Sequence, residues 1–420
     1  MPSAAALAYH PKMRCLLLAL CLPLAFGCDD DSNAAADAAP SPDAAIDAAP
    51  PLDAAVDAAP DPADEPLARA AARLGAAAAA LDPADGLPKW VDGTTWTTSD
   101  AGTWTSGFFS GALWLLYTWR GDETLRMQAE RWMAPVELQS FNRFNHDVGF
   151  KILPTYGRAW QLTGDEHARQ VLRDGAASLA SRFDPDVGCT RSWNNPVWRF
   201  PVIIDNLMNL EILFAAAEDG DDEWRAIAES HGEKTLANHV RPDGSTFHVV
   251  DYDPDTGDVI SQGTHQGLAD DTTWARGQTW AIYGFTMLFR ETGREDFHEG
   301  ATRTADWFVD HLDPADPVPH WDFSAPAGDP HDASSAAIGA SALIELADYV
   351  DPPDDARYRA AADMLLAALD APPYTTEGTE IPATLQQSVG NLPTGNEISV
   401  PLIYADYYFI EAQLRARAAR

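Results

Sequence analysis

From about residue 65 the chain alternates two kinds of apolar pattern. In one, nearly every position is apolar or aromatic, as at residues 106–119, 148–162, 203–217, 273–291 and 333–350. In the other, apolar residues share a face with a stripe of Arg, Glu and Asp opposite, as at 165–183 and 296–312. Runs of this length at helical spacing predict α-helices, the first kind buried all round and the second wetted on one side. A loop signature rich in Gly, Asp and Glu separates them: Gly121-Asp122-Glu123, Gly164-Asp165-Glu166, Gly220-Asp221-Asp222-Glu223, Gly293-Arg294-Glu295-Asp296 and Pro353-Asp354-Asp355. Acidic residues there suit the unpaired N–H groups and positive dipole end of the next helix. With 66–81 at the start and 400–417 at the end, the pattern gives about twelve helices, or six pairs. Apolar helices alternating with amphipathic ones predict two concentric layers. Inner helices joined through outer return helices all point the same way, so their N-termini meet on one rim.

Two segments break the pattern. Residues 245–260 hold Asp253-Pro254-Asp255-Thr256-Gly257 between β-favouring residues, which predicts a short hairpin or ribbon. Calcium at this acidic turn is disfavoured, because the spacing of an EF-hand loop is missing. Residues 13–28 have a basic start, a short apolar run and small residues before Cys28, the form of an export signal. Leu24-Ala25-Phe26-Gly27-Cys28 resembles a bacterial lipobox, with Cys28 as the lipidated first mature residue and Met13 as an alternative start. Residues 29–64 repeat Asp-Ala-Ala-Pro from Asp37, Asp47 and Asp57, which favours an extended linker over a packed core. The expected organisation is a signal at 1–28, a linker at 29–64 and a helical domain at 65–420. The protein is then exported and held at a membrane only through its lipid, in the periplasm or at the cell surface.

Composition narrows the partners. The chain has 420 residues, and 28 Lys and Arg against 64 Asp and Glu leave a formal charge of −36. Nucleic acid is excluded as a partner by the lack of basic excess. Three of the four cysteines precede residue 29, so the folded body holds one thiol, Cys189, and no internal disulfide.

The candidate chemistry sits at the predicted inner-helix starts. Asp147 and Asp205 are lone charges, each opening an apolar run, and a carboxylate in such a place is either a helix cap or a working acid. Trp104, Trp274, Arg276 and Ser334 open other inner helices, so motifs far apart in sequence converge at one mouth. Paired acids with aromatic platforms point to carbohydrate chemistry. Arg276 among aromatics needs an anion, with a ligand carboxylate and Asp271 as rival partners.

These motifs resemble the unsaturated glucuronyl hydrolases, glycoside hydrolase family 88. The matching segments are Trp104-Thr105-Ser106-Gly107-Phe108-Phe109, His146-Asp147-Val148-Gly149-Phe150, Arg191-Ser192-Trp193, Ile203-Ile204-Asp205-Asn206, His265-Gln266-Gly267, Trp274-Ala275-Arg276-Gly277-Gln278-Thr279-Trp280, Asp332-Ala333-Ser334-Ser335-Ala336-Ala337 and Val400-Pro401-Leu402-Ile403-Tyr404-Ala405-Asp406. They span roughly residues 85–415 in order. The resemblance implies an all-α (α/α)6 barrel, in agreement with the six pairs read from the pattern. It implies removal of a 4,5-unsaturated uronic acid from the non-reducing end of lyase-made oligosaccharides, with no metal or organic cofactor. Asp205 is then the general acid/base and Asp147 its essential companion. Asp205 should have a raised pKa, through burial or a nearby like charge. Gln266 and Arg276 match residues near the sugar and its carboxylate, and His248 matches a substrate-contacting histidine. Trp104, Trp193, Trp274 and Trp280 offer faces to sugar C–H groups. Ser334-Ser335 and residues 390–399, which contain no Lys or Arg, match contacts to the next sugar. His146 and His265 read as structural.

Three other readings compete. An unsaturated rhamnogalacturonyl hydrolase shares fold and chemistry, but its relatives tend to have Arg-Gly-Asn where this chain has Arg276-Gly277-Gln278. A surface lipoprotein that only binds oligosaccharide fits the leader, yet has no need of both aspartates. An epimerase on the same barrel would need paired histidines at two inner-helix starts.

Overall fold

The computed structural model describes residues 65–217 and 221–419. The expected signal, linker and Cys28 lie outside the described residues. The helices in chain order are α1 (Glu65–Ala80), α2 (Phe108–Arg120), α3 (Glu123–Met133), α4 (Val148–Ile152), α5 (Arg158–Thr163), α6 (Glu166–Ala180), α7 (Asn206–Ala216), α8 (Asp222–Asn238), α9 (Ala275–Thr292), α10 (Glu295–Asp310), α11 (Ala333–Leu346), α12 (Asp354–Leu369) and α13 (Ile403–Ala418).

The apolar set closes a ring. α2 packs on α13, α13 on α11, α11 on α9, α9 on α7, α7 on α4, and the turn after α4 packs back on α2. The predicted inner helix over 148–162 is one of these, split into α4 and α5 by a wide π turn, Leu153–Gly157, that contains Pro154. A proline lacks the N–H that a regular helix needs at that point, so the turn opens. The amphipathic helices α3, α6, α8, α10 and α12 lie outside, each against its inner partner. This is the (α/α)6 barrel.

The Gly-Asp-Glu signature has a simple structural cause. Gly121, Gly164 and Gly293 end inner helices in the left-handed conformation, at φ 64°, 69° and 65°. That conformation suits glycine because it has no Cβ. Asp122 and Asp165 then cap the outer helices, accepting from Thr124 N–H at 2.8 Å and His167 N–H at 2.8 Å. One short loop thus stops an inner helix and starts its return.

Away from the mouth, half-buried ion pairs that converge on buried Glu345 tie the inner helices together. Arg290 of α9 meets Glu211 of α7 at 2.6 Å and Glu345 of α11 at 2.5 Å, and Arg415 of α13 meets Glu345 at 2.6 Å.

Strand content exceeds the expected single ribbon. Four small sheets are present among the described residues. β1 (Leu87–Asp92) pairs with β2 (Thr95–Ser99), and β3 (Phe183–Asp184) with β4 (Cys189–Thr190). β5 (Pro201–Ile203), β6 (Val249–Tyr252) and β7 (Val259–Gly263) form a three-stranded sheet, whose β6–β7 hairpin is the predicted one. β8 (Ser388–Asn391) pairs with β9 (Asn396–Val400). The acidic turn between β6 and β7 is held by Arg199, which pairs with Asp253 at 2.5 Å and Asp255 at 2.9 Å. Cys189 is buried, and burial pushes its thiol well up, so it packs rather than reacts.

Candidate active site

Asp147 and Asp205 occupy the N-cap positions of α4 and α7, yet neither side chain accepts a hydrogen bond from its helix. The capping reading therefore fails for both, and their carboxyls are free for other work. Asn209, one turn into α7, fixes the two helix starts together. Its Oδ1 accepts from Phe150 N–H at 2.8 Å, and its Nδ2 donates to the Asp205 carbonyl at 3.2 Å. Gly149 makes this approach possible, because a Cβ there would lie 2.6 Å from Asn209 Oδ1 and 2.7 Å from its Cα. Gly149→Ala is expected to destabilise the fold by about 1–3 kcal/mol and to depress activity, measured as a lower denaturant midpoint.

A neutral histidine serves each aspartate. His146 Nε2 lies 3.3 Å from Asp147 Oδ1, while its Nδ1 faces the Asn209 amide at 3.4 Å. Burial lowers His146 to about 4, so it is uncharged at neutral pH. With Nδ1 turned to a donor, Nε2 keeps the proton and stands 3.3 Å from Asp147. His248 repeats the arrangement. Its Nδ1 accepts the backbone N–H groups of His265 and Gln266, each at 3.1 Å. Burial holds His248 well below its ordinary value, and its Nε2 faces Asp205 Oδ2 at 3.7 Å.

Burial pushes the Asp205 carboxyl up to about 7. Arg276 beside it and the Trp280 indole N–H pull the other way, and Asp147 adds a smaller upward push. The expected rise is present, and burial rather than like charge is its main cause.

Arg276 is 1 % exposed and makes an ion pair with Asp332 at 2.9 Å, so neither Asp271 nor a ligand is needed to balance it. Its fork also donates to the Val389 carbonyl at 2.6 Å and the Gly390 carbonyl at 2.7 Å. Gln266 Oε1 lies 3.3 Å away and accepts from it. Asp332 accepts in turn from Ser334 Oγ at 2.6 Å and from Val389 N–H at 3.1 Å. The pair thereby grips β8 at the edge of the site.

A cavity of about 440 Å³ opens here, lined from the starts of α2, α4, α7 and α9 and from the β1–β2 and β8–β9 hairpins. The predicted residues Asp147, Asp205, Trp104, Trp193, Gln266 and Arg276 all line it. Four others do not. Trp274 is a backing plate, with the His248 ring at 4.5 Å and the Arg276 guanidinium 4.5 Å above it. Trp280 is fully buried against Phe150 and Tyr408, with only its N–H turned to Asp205. Ser334 is buried and spends its hydroxyl on Asp332. His248 lies behind Asp205. Sequence reasoning missed Lys89, and it read His146 and His265 as structural although both line the cavity. Glu397, Asn391 and Asn396 lie in the loop already singled out.

Relatives agree on one family. An unsaturated glucuronyl hydrolase from Formosa agariphila is 42% identical over 320 residues, covering 74% of this chain and 79% of that protein. Another from Bacillus sp. is 36% identical over 345 residues, covering 79% and 91%. The crystal structure of an unsaturated glucuronyl hydrolase specific for heparin superposes with TM-score 0.81 at 38% identity, covering 84% of this chain and 96% of that one. No family model matches the chain.

Proposed function

The chain belongs to the unsaturated glucuronyl hydrolases, glycoside hydrolase family 88, and from that premise we propose how its residues divide the reaction. The substrate is a lyase-made oligosaccharide of glycosaminoglycan or ulvan type, ending in a 4,5-unsaturated uronic acid. That terminal sugar is an enol ether, so its removal starts at the double bond rather than at the glycosidic carbon. The uncharged Asp205 carboxyl gives its proton to C4, and cationic character develops at C5 and the ring oxygen. Asp147, with His146 Nε2 3.3 Å from its carboxyl, stabilises that charge. The Asp205 carboxylate then takes a proton from the water that attacks C5. The resulting hemiketal opens and expels the remaining sugar chain, with one water consumed. Arg276 and Gln266 present positive charge and an amide to the uronate carboxylate. Trp104 and Trp193 supply flat walls.

One feature carries this reading: an uncapped carboxyl lines a sugar-sized cavity, and its burial pushes it up to about 7. A general acid is useful only while it has its proton. The value of kcat/KM is therefore expected to be level below pH about 7 and to fall about tenfold per unit above it, read from initial rates across a pH series. The reading itself is tested by ultraviolet absorbance of the unsaturated uronate. The signal should vanish when the protein meets unsaturated chondroitin, heparin, hyaluronan or ulvan disaccharides. A flat trace with all four would remove it. Export and attachment through Cys28 fit this role at a cell surface, and radiolabelled fatty acid incorporated by wild type but not by Cys28→Ala would test the anchor.

A further inference from the structure

The inner-helix starts give the mouth two unlike walls. In ring order α2, α4, α7, α9, α11 and α13, the segment ahead of α7 faces the one ahead of α13, and the segment ahead of α9 faces the one ahead of α2. The α13 and α2 side is made of the β8–β9 and β1–β2 hairpins, which an ion pair between Glu397 and Lys89 ties together. Gln387, Glu397 and Ser399, the non-glycine residues with left-handed backbone among the described residues, all lie in or beside the β8–β9 hairpin. This wall is fastened and locally strained.

The α7 and α9 side is aromatic. Trp193 and His265 line the cavity, and Trp198 stands next to both without lining it. The Trp198 ring lies 5.7 Å from Trp193, tilted by 40°, and 5.8 Å from His265, edge-on at 89°. Trp198 is half-buried and adjoins Val197, which is 75% exposed. An isolated antiparallel bridge between Asn145 and Trp193 brings Phe144, 78% exposed, to the same rim. Aromatic surface thus runs from Trp193 and His265 inside the cavity to Trp198 outside it. Exposed apolar surface continuous with a binding cavity marks a ligand that extends beyond that cavity.

We propose that Trp198, with Trp193 and His265, forms an outer subsite that stacks the apolar face of the sugar beyond the one released next to the uronate. The inference rests on the function proposed above. It goes beyond it by making the enzyme a reader of chain length. A pyranose offers a C–H face to an indole, and that contact needs no charge. The opposite wall, closed by the Lys89–Glu397 pair, directs the chain over Trp198.

The test uses unsaturated hyaluronan disaccharide and tetrasaccharide with the full protein. Wild type should show a kcat/KM higher for the tetrasaccharide by about fivefold, the worth of one aromatic contact. In Trp198→Ala that advantage should disappear while disaccharide turnover changes less than about twofold, since the shorter ligand ends before the indole. Trp198→Phe should keep most of the advantage, which also guards against a misfolded alanine variant. Equal loss on both substrates would make Trp198 a mere support for Trp193 and would overturn the inference. So would an unchanged length preference. Failure of wild type to consume the disaccharide at all would instead strike the proposed function.

Discussion

Asp205→Asn is expected to lower kcat/KM by about three to four orders of magnitude with KM changed little, as for the loss of a positioned general acid. The amide has the same shape and stays beside His248 and Trp280, so the substrate should still bind. It has no proton to give to C4 and cannot take one from water. Stability should move in the opposite direction. Between the ordinary carboxyl value of 3.8 and about 7, the folded protein holds a proton on Asp205 that the unfolded chain has released. Folding stability from this group is therefore present at low pH and is lost as pH rises through that window. Above pH 7 the asparagine variant escapes the loss and should unfold later than wild type, by on the order of a few kcal/mol. Thermal melts of both proteins at pH 5 and pH 8 check this: the difference should grow with pH. A dead variant that is also less stable at pH 8 would mean that the carboxyl holds structure.

The second large effect is at Arg276. Arg276→Ala leaves Asp332 buried without its partner, which costs about 3–5 kcal/mol and should lower the melting temperature by about 10 °C. It also frees the Val389 and Gly390 carbonyls, so β8 loses its hold at the cavity edge. Activity should fall at least about a hundredfold, through loss of carboxylate recognition and of that edge. A pH profile separates these causes. Arg276 pulls the Asp205 value down, so its removal should move the alkaline limb of kcat/KM to higher pH. An unmoved limb would show that Arg276 acts only through the fold. Arg276→Lys should restore part of the charge effect but not the grip, because an ammonium lacks the fork that reaches Asp332 and two carbonyls together.

Much of the architecture was legible because it repeats. Each inner helix is apolar on all sides, each outer one on a single face, and Gly-Asp-Glu marks the hairpin between them. Asp147 and Asp205 were legible as lone charges at helix starts, although only the structure could separate caps from working acids. Periodicity does not say which residues of an all-apolar helix face a cavity. Trp274 and Trp280 therefore read as sugar platforms, whereas one backs His248 and Arg276 and the other is core. Arg276 was legible as a cation in need of an anion, but Asp332 lies on a different inner helix and no local pattern links them. The same holds for Lys89 and Glu397. The β1–β2 hairpin did leave a signal, Asp92-Gly93 between Trp90-Val91 and Thr95-Trp96, which the dominant helical pattern obscured.

Proton transfer from Asp205 to C4 can be followed by isotope. The reaction is run in deuterium oxide with an unsaturated disaccharide and stopped early, and the product is read by NMR. One deuterium is expected at C4, on one face, with the double bond lost in step with sugar release, and no product from Asp205→Asn. Early release of an intact unsaturated uronate with unlabelled C4 would contradict it, placing the first chemical event at the glycosidic carbon.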